Sequence, residues 1–514
     1  MRKLCHWLAA AIFAAGAFSG FAQEQPARPA SPGGSVQSPV QTQPRNQEQT
    51  HISKQQAKDL FHSVSEILTF ASGDTKLPIR HEVKRKLITR DEVEKYVLNK
   101  FHDDKDAKRM EREEIVLKKF GLLDRDFHLQ PFLVSLLTEQ IAGFYDNKTK
   151  TVNLLDWVAP DEQKPVIAHE LTHALQDQHS DLDKWEPGEP QVISTTVAQD
   201  NDRVASDERD TARDAVLEGQ AMAVYLDYTL KPSGKSLLTV PDMSQDMGST
   251  DDSPVMARAP KLLQESLLFP YREGLRFEQT LLKDKGPEYA FGGVLDQPPA
   301  SSFEIMNPKA YEHERSAPVL RMPDVHGLLD ANYEPYDIGV MGELDVHILA
   351  GLFGGEAAAA TLTPQWNGGL YYAVQAKSAK TPEEKASTAS LRLLYLSAWH
   401  TEAGAKQFAK LYGREMSAKY SGVSRDNAAE TSPDEWVYRT QEGPVLIVVD
   451  QRQVFISESF DLDTARKLEF LFVGAQQGAA TQRVFNQVPT RSDPSAHLAS
   501  FMAGCGLMKA ALLH

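Results

Sequence analysis

The sequence predicts an α+β protein: a largely helical domain with a small β-hairpin, followed by a smaller α+β domain. Three observations carry this. Apolar residues recur at helical spacing at Leu60, Phe61, Val64, Ile67, Leu68 and Phe70, and the pattern returns over roughly 91–120 and 130–141. A single hairpin pattern then interrupts the helices, Ile141–Leu155, with turn residues at Asp146–Thr149. After Pro364-Gln-Trp-Asn-Gly-Gly369 the period shifts toward strands, at 370–375, 391–399, 435–440, 445–450 and 453–459, with helices near 401–420 and 461–474.

The elements follow in order. Met1-Arg2-Lys3 and the apolar run Leu4–Ala22, ending in Gly20-Phe21-Ala22, form the pattern of a secretory signal peptide over 1–22. Export to the periplasm or medium is the expectation, with the mature chain starting at Gln23. An uncleaved anchor is the alternative. Residues 23–50 are rich in Gln, Pro and Ser and read as a disordered linker. The helical domain is expected over 51–350, the α+β domain over 351–485 and a C-terminal tail over 486–514. Inside the first domain a helix is expected to start near Pro165, a residue suited to a first turn. Another is expected from about Ala205 to Leu230, then a loop over 232–256.

Composition narrows the function classes. The chain has 514 residues, 41 % hydrophobic and 25 % charged, which excludes a disordered, collagenous or multi-span membrane protein. Its net charge of −16, with no basic run, argues against nucleic acid and anionic lipid as partners. Cys5 and Cys505 are its two cysteines, so there is no disulfide framework. No stretch after the signal is apolar for long enough to span a bilayer.

The chemistry is concentrated in Val166-Ile-Ala-His169-Glu170-Leu-Thr-His173-Ala-Leu-Gln-Asp-Gln-His179. On a helix, His169 and His173 lie about 40° apart on one face and can hold one Zn²⁺. Glu170 can reach a water at that metal, take its proton and deliver it onward. For 15 His and 71 acids in this length, chance supplies about 0.06 such HExxH matches. The bland alternative is two solvated histidines on an ordinary helix, and the apolar flanks Val166, Ile167, Leu171 and Leu175 argue against it.

A catalytic zinc needs a third protein ligand. Glu218 is favoured, a carboxylate inside the apolar run Ala215–Ala221, with Gly219 beside it allowing close approach of another backbone. Its plain alternative is a structural salt bridge. His179 is the rival, at HExxHxxGxxH spacing, but Gln176 stands where that pattern needs Gly for its turn. A helix-end histidine is the plain alternative there.

These residues resemble the gluzincin group of zinc metallopeptidases. More narrowly, the HELTHALQDQ helix and the Glu218-Gly219-Gln-Ala221 helix resemble those of exported bacterial zincin-like proteins. The likeness covers roughly 130–230. It implies a zincin-like domain with an edge strand above the cleft, where a peptide or protein substrate lies extended. The Ile141–Leu155 hairpin would supply that strand, with Gly143, Phe144 and Tyr145 facing the peptide. The chain departs from the thermolysin pattern at Met222, where an Asp is expected four positions after Glu218. Asp177 and Asp214 are candidates to hold a ligand histidine. Tyr225 and Tyr271 are candidates to donate to an oxyanion, although a packing role is the plainer reading of each.

The resemblance implies a zinc peptidase. The alternatives are a non-catalytic zincin-like binding protein of the cell envelope, and a carbohydrate- or envelope-binding protein using Trp366, Tyr371 and Tyr372. For those aromatics, core packing is the plainer role.

Overall fold

The computed structural model describes residues 51–101, 104–141, 143–185, 195–242 and 254–477. The expected signal peptide, linker and C-terminal tail lie outside these residues, as do both cysteines and much of the 232–256 loop. The protein is a mixed α+β chain with a small sheet and a large one.

α1 (Lys54–Thr75) opens on a capping box, Ser53 with Gln56, and buries Leu60, Val64, Ile67, Leu68 and Ala71. That is the stripe that the periodicity predicted. The helical pattern over 91–120 divides into α2 (Arg90–Phe101) and α3 (Asp104–Phe120), and α4 covers Leu129–Gln140. The hairpin forms as expected, β2 (Phe144–Asp146) antiparallel to β3 (Thr151–Leu155). A third strand, β1 (Lys84–Ile88), pairs parallel with β3 on its other side, so β2 is an edge. Nothing in Lys-Arg-Lys-Leu-Ile alternates. Three exposed charges precede its one buried residue, which hides this edge strand from a periodicity reading.

α5 (Pro160–Ser180) carries the HExxH motif. It starts earlier than expected, because Pro160 rather than Pro165 takes the first-turn position and Pro165 lies inside the helix. Asp161 and Glu162 then suit its positive N-terminal end. From Ile167 to Asp177 every residue is buried, so α5 runs through the interior, packed on α1 and on the helix of Glu218. The helix expected over 205–230 forms as α7 (Arg209–Leu230), preceded by a separate helix α6 (Val197–Ser206). α8 (Lys261–Lys285) packs along α7, and a π-helical turn, Glu288–Gly293, follows it.

The large sheet has the order β4-β5-β6-β10-β9-β8-β7, all antiparallel. β5 (Trp366–Ala376), β6 (Leu391–Trp399), β8 (Glu435–Thr440), β9 (Gly443–Asp450) and β10 (Gln453–Glu458) follow the expected strands within a few residues. β7 (Ser424–Arg425) is a two-residue edge. β4 (Tyr333–Gly339) escaped the sequence reading because Pro335 and a register shift interrupt its alternation. It comes from residues assigned to the preceding domain, and the boundary at 350 falls within α9 (Glu343–Gly354).

The sheet's two faces separate by period two. Leu393, Tyr395, Val445, Ile447, Val454 and Ile456 join the core of the helical region. Leu394, Leu396, Leu446 and Phe455 face a second core with Leu468 and Phe472 of α11 (Leu462–Gln477). α10 (Glu402–Arg414) covers the first face with Phe408 and Tyr412. Trp366 and Tyr372 are buried, and Trp366 Nε1 donates to Met341 O at 3.0 Å. Trp366 and Tyr372 are therefore core, while Tyr371 is half-buried and its hydroxyl donates to Asp337 Oδ2 at 2.9 Å. A buried ion pair ties the end of α3 to this sheet, Lys119 to Glu442 at 2.9 Å, with Arg125 just beyond the helix on the same carboxylate; a second buried pair, Lys419 to Glu458, lies within the sheet domain. No helix of the described residues is long and apolar enough to cross a membrane.

One core residue breaks the pattern. Glu278 on α8 is buried and neither carboxylate oxygen has a hydrogen-bond partner among the described residues. Burial pushes its carboxyl well above the usual carboxylate range, so the folded chain keeps a proton that the unfolded chain has lost. Its contribution to stability therefore falls as pH rises above about 4.3. Glu278→Met, of similar length, should raise stability at pH 8 by about 1–3 kcal/mol, with the gain shrinking toward acid pH. Urea unfolding at both pH values checks this, and an equal or negative effect at pH 8 would refute it.

Candidate metal centre

Three side chains converge where α5 and α7 pack. His169 and His173 come from one face of α5, and Glu218 comes from α7. Their ligating atoms all lie within 4.8 Å of one another. The His169 and His173 Nε2 atoms are 3.1 Å apart. Glu218 Oε2 lies 3.2 Å from the first and 3.5 Å from the second. A tetrahedral ion with bonds of roughly 2.0–2.1 Å sets its ligands about 3.3 Å apart. Two imidazoles and a carboxylate at these separations fit such an ion in both chemistry and spacing. All three are buried, at 4, 9 and 8 % exposure.

The electrostatics agree with this convergence. Burial works against a proton on His173, but the Glu218 carboxylate outweighs it and holds the ring's pKa up to about 9. Burial likewise opposes charge on Glu218, yet the two histidines hold its carboxyl well below the usual range. The cluster is built around opposite charges.

Glu170 lies beside this group, 2 % exposed. Its Oε2 accepts the Tyr145 N–H at 2.8 Å, while its Oε1 is buried with no partner among the described residues. Burial pushes its carboxyl up, with Glu218 adding to the rise and the histidines and the Tyr145 N–H opposing it. Tyr145 pairs with Val152 of β3 in the hairpin, yet its N–H points to α5. N–H and C=O of one strand residue share a side in an antiparallel pair, so the open edge of β2 faces Glu170. Of the expected peptide-facing residues, Gly143, Phe144 and Tyr145 are all buried here, with Phe144 stacked on Tyr96.

Tyr271 on α8 is the tyrosine at this group. Its ring lies 6.4 Å from that of His169 at 24°. Burial, then Glu218 and Glu170, push its hydroxyl well above the usual range. Tyr225 lies about two helical turns beyond Glu218 on α7, and burial raises its hydroxyl to about 12. What brings Tyr271 in is the crossing of α7 and α8. A Cβ on Gly219 would stand 2.3 Å from the Gly274 carbonyl group, so both positions must be glycine for the helices to touch. Gly219→Ala should cost about 1–3 kcal/mol in urea unfolding and displace Tyr271. A variant as stable as the parent would refute the close contact.

The other expectations divide. His179 is not part of the cluster, and its Nε2 pairs with Asp296 Oδ1 at 3.0 Å. Asp177 does not hold a ligand histidine, because Tyr145 OH and Lys150 Nζ occupy it at 2.7 Å each. Asp214 is buried one turn before Glu218. The group on the His173 ring is Gln176, whose Oε1 lies 2.8 Å from Nδ1. In the sequence Gln176 stands out only as the residue that argues against a turn. Its i,i+3 spacing from His173 was the available signal. Comparison of the chain with protein-family models, curated proteins and solved structures finds no match.

Proposed function

We propose that this chain is an exported zinc-dependent peptidase of gluzincin type, with His169, His173 and Glu218 as ligands and Glu170 as general base. The observation that carries the reading is the convergence of three donor atoms at tetrahedral separations beside a carboxylate oxygen with no partner among the described residues. Zinc held there supplies an acidified water and a Lewis acid for the scissile carbonyl.

The chain's own residues do the rest. The Tyr145 N–H fixes Glu170 through Oε2, which leaves Oε1 to accept the proton of the attacking water and return it to the leaving amine. The Tyr271 hydroxyl donates to the carbonyl oxygen as negative charge develops. β2 is an edge of the small sheet, the kind of edge along which an extended peptide adds.

A second reading is favoured by one observation: the ligands and Glu170 are all shut in. It is a non-catalytic zincin-like metal-binding protein of the cell envelope. One experiment separates the two. Purified mature protein should contain one zinc per molecule and cleave a peptide library, losing cleavage with a chelator and regaining it with zinc. No zinc after reconstitution would overturn both readings. Zinc without cleavage would favour the binding protein.

A further inference from the structure

Behind His173 runs a chain of two buried amides. Gln176 and Gln220 are both fully buried. Gln220 Nε2 donates to the carbonyls of Ala290 and Phe291, in the π-helical turn, at 2.9 and 3.1 Å. Gln176 Nε2 donates to Leu217 O at 3.0 Å and to Gln220 Oε1 at 2.9 Å. Gln176 Oε1 faces His173 Nδ1 at 2.8 Å.

The direction of this chain is not free. Main-chain carbonyls only accept, so Ala290 and Phe291 require the NH₂ end of Gln220, and Leu217 independently requires the NH₂ end of Gln176. Both amides are thereby fixed with their oxygens pointing toward α5. The Gln176 oxygen can only accept, so His173 must carry a hydrogen on Nδ1. That leaves Nε2, the atom facing His169 and Glu218, as the lone-pair donor. Gln176 also bonds the carbonyl of the residue just before Glu218. A single side chain thus sets both the ring of one ligand and the backbone of another.

We propose that Gln176 and Gln220 are positioning residues: a one-way relay, anchored on the Ala290 and Phe291 carbonyls, that presents His173 to a metal through Nε2 and registers α5 against α7. The proposal rests on the metal-site reading above and deepens it. Outer partners of this kind typically change metal affinity 10–100-fold.

The test uses the full mature chain with ring-¹⁵N histidine, loaded with zinc, or with ¹¹³Cd so that ¹¹³Cd–¹⁵N coupling identifies the bound nitrogen. Zinc affinity is measured by chelator competition. In the parent protein His173 should bind through Nε2 and keep its Nδ1–H. Gln176→Met and Gln220→Met should weaken zinc by about 10–100-fold and give mixed ring states. Gln176→Glu keeps the acceptor at Nδ1, so it should bind zinc closer to the parent than Gln176→Met does. A role in packing alone predicts no such rescue, because an apolar Met suits a buried position better than a carboxylate. Binding of the parent through Nδ1 would overturn the relay whether or not the variants fold. So would folded Met variants that match the parent in affinity and ring state. If the parent binds no zinc, the metal reading fails. The relay is then judged on the metal-free chain at alkaline pH, where the neutral His173 ring must still carry Nδ1–H.

Discussion

Glu170→Gln should lose peptide cleavage and keep its zinc. The substitution preserves size and leaves His169, His173 and Glu218 in place. The amide oxygen can still accept the Tyr145 N–H that now holds Oε2 at 2.8 Å. The NH₂ then falls where Oε1 stood, and an NH₂ cannot take a proton from water. General acid–base catalysis is worth about 10²–10⁴-fold, so cleavage should fall by at least that much. The unfolding midpoint should stay level or rise, because a buried carboxylate is replaced by a neutral group. Library cleavage, elemental analysis and thermal unfolding are measured together. Equal cleavage by parent and variant would remove Glu170 from the mechanism. Zinc in both with cleavage in neither would leave the binding-protein reading.

Glu218→Ala and His179→Ala should separate by orders of magnitude in zinc affinity. Removing Glu218 deletes a ligand and leaves two imidazole nitrogens 3.1 Å apart with no carboxylate between them and α7. The loss should exceed the roughly 100-fold that an outer partner can cost. His179 is paired with Asp296, a residue with 69 % side-chain exposure, and a pair of that kind is worth about 0–1 kcal/mol. His179→Ala should therefore bind zinc within about twofold of the parent, since nothing it touches is a ligand. The reverse result would require a three-histidine site and a chain that bends within α5, between His173 and His179, contrary to the continuous helix seen through Gln176.

The sequence by itself determined what one segment can impose on its own residues. The 3.6-residue period put His169 and His173 on one face of one helix, and the apolar run around Glu218 announced a buried carboxylate. The large sheet's inner strands were legible as short, nearly continuous apolar runs, because both of their faces are buried. The edge strands β1 and β4 were not, since exposed charges and a proline mask a pattern that only pairing completes. The choice of Tyr271 over Tyr225 and of Gln176 over Asp177 belonged to the tertiary structure, which also set Glu218, favoured over His179 in the sequence already, beside the two histidines. Each depends on which helix crosses which and how closely. The Gly219–Gly274 contact brings α8 onto the helix of Glu218, and the amides of Gln176 and Gln220 bind α5 to α7 and to the turn after α8. Residues far apart in sequence meet there through packing and hydrogen bonding between segments, and local spacing carries no record of either.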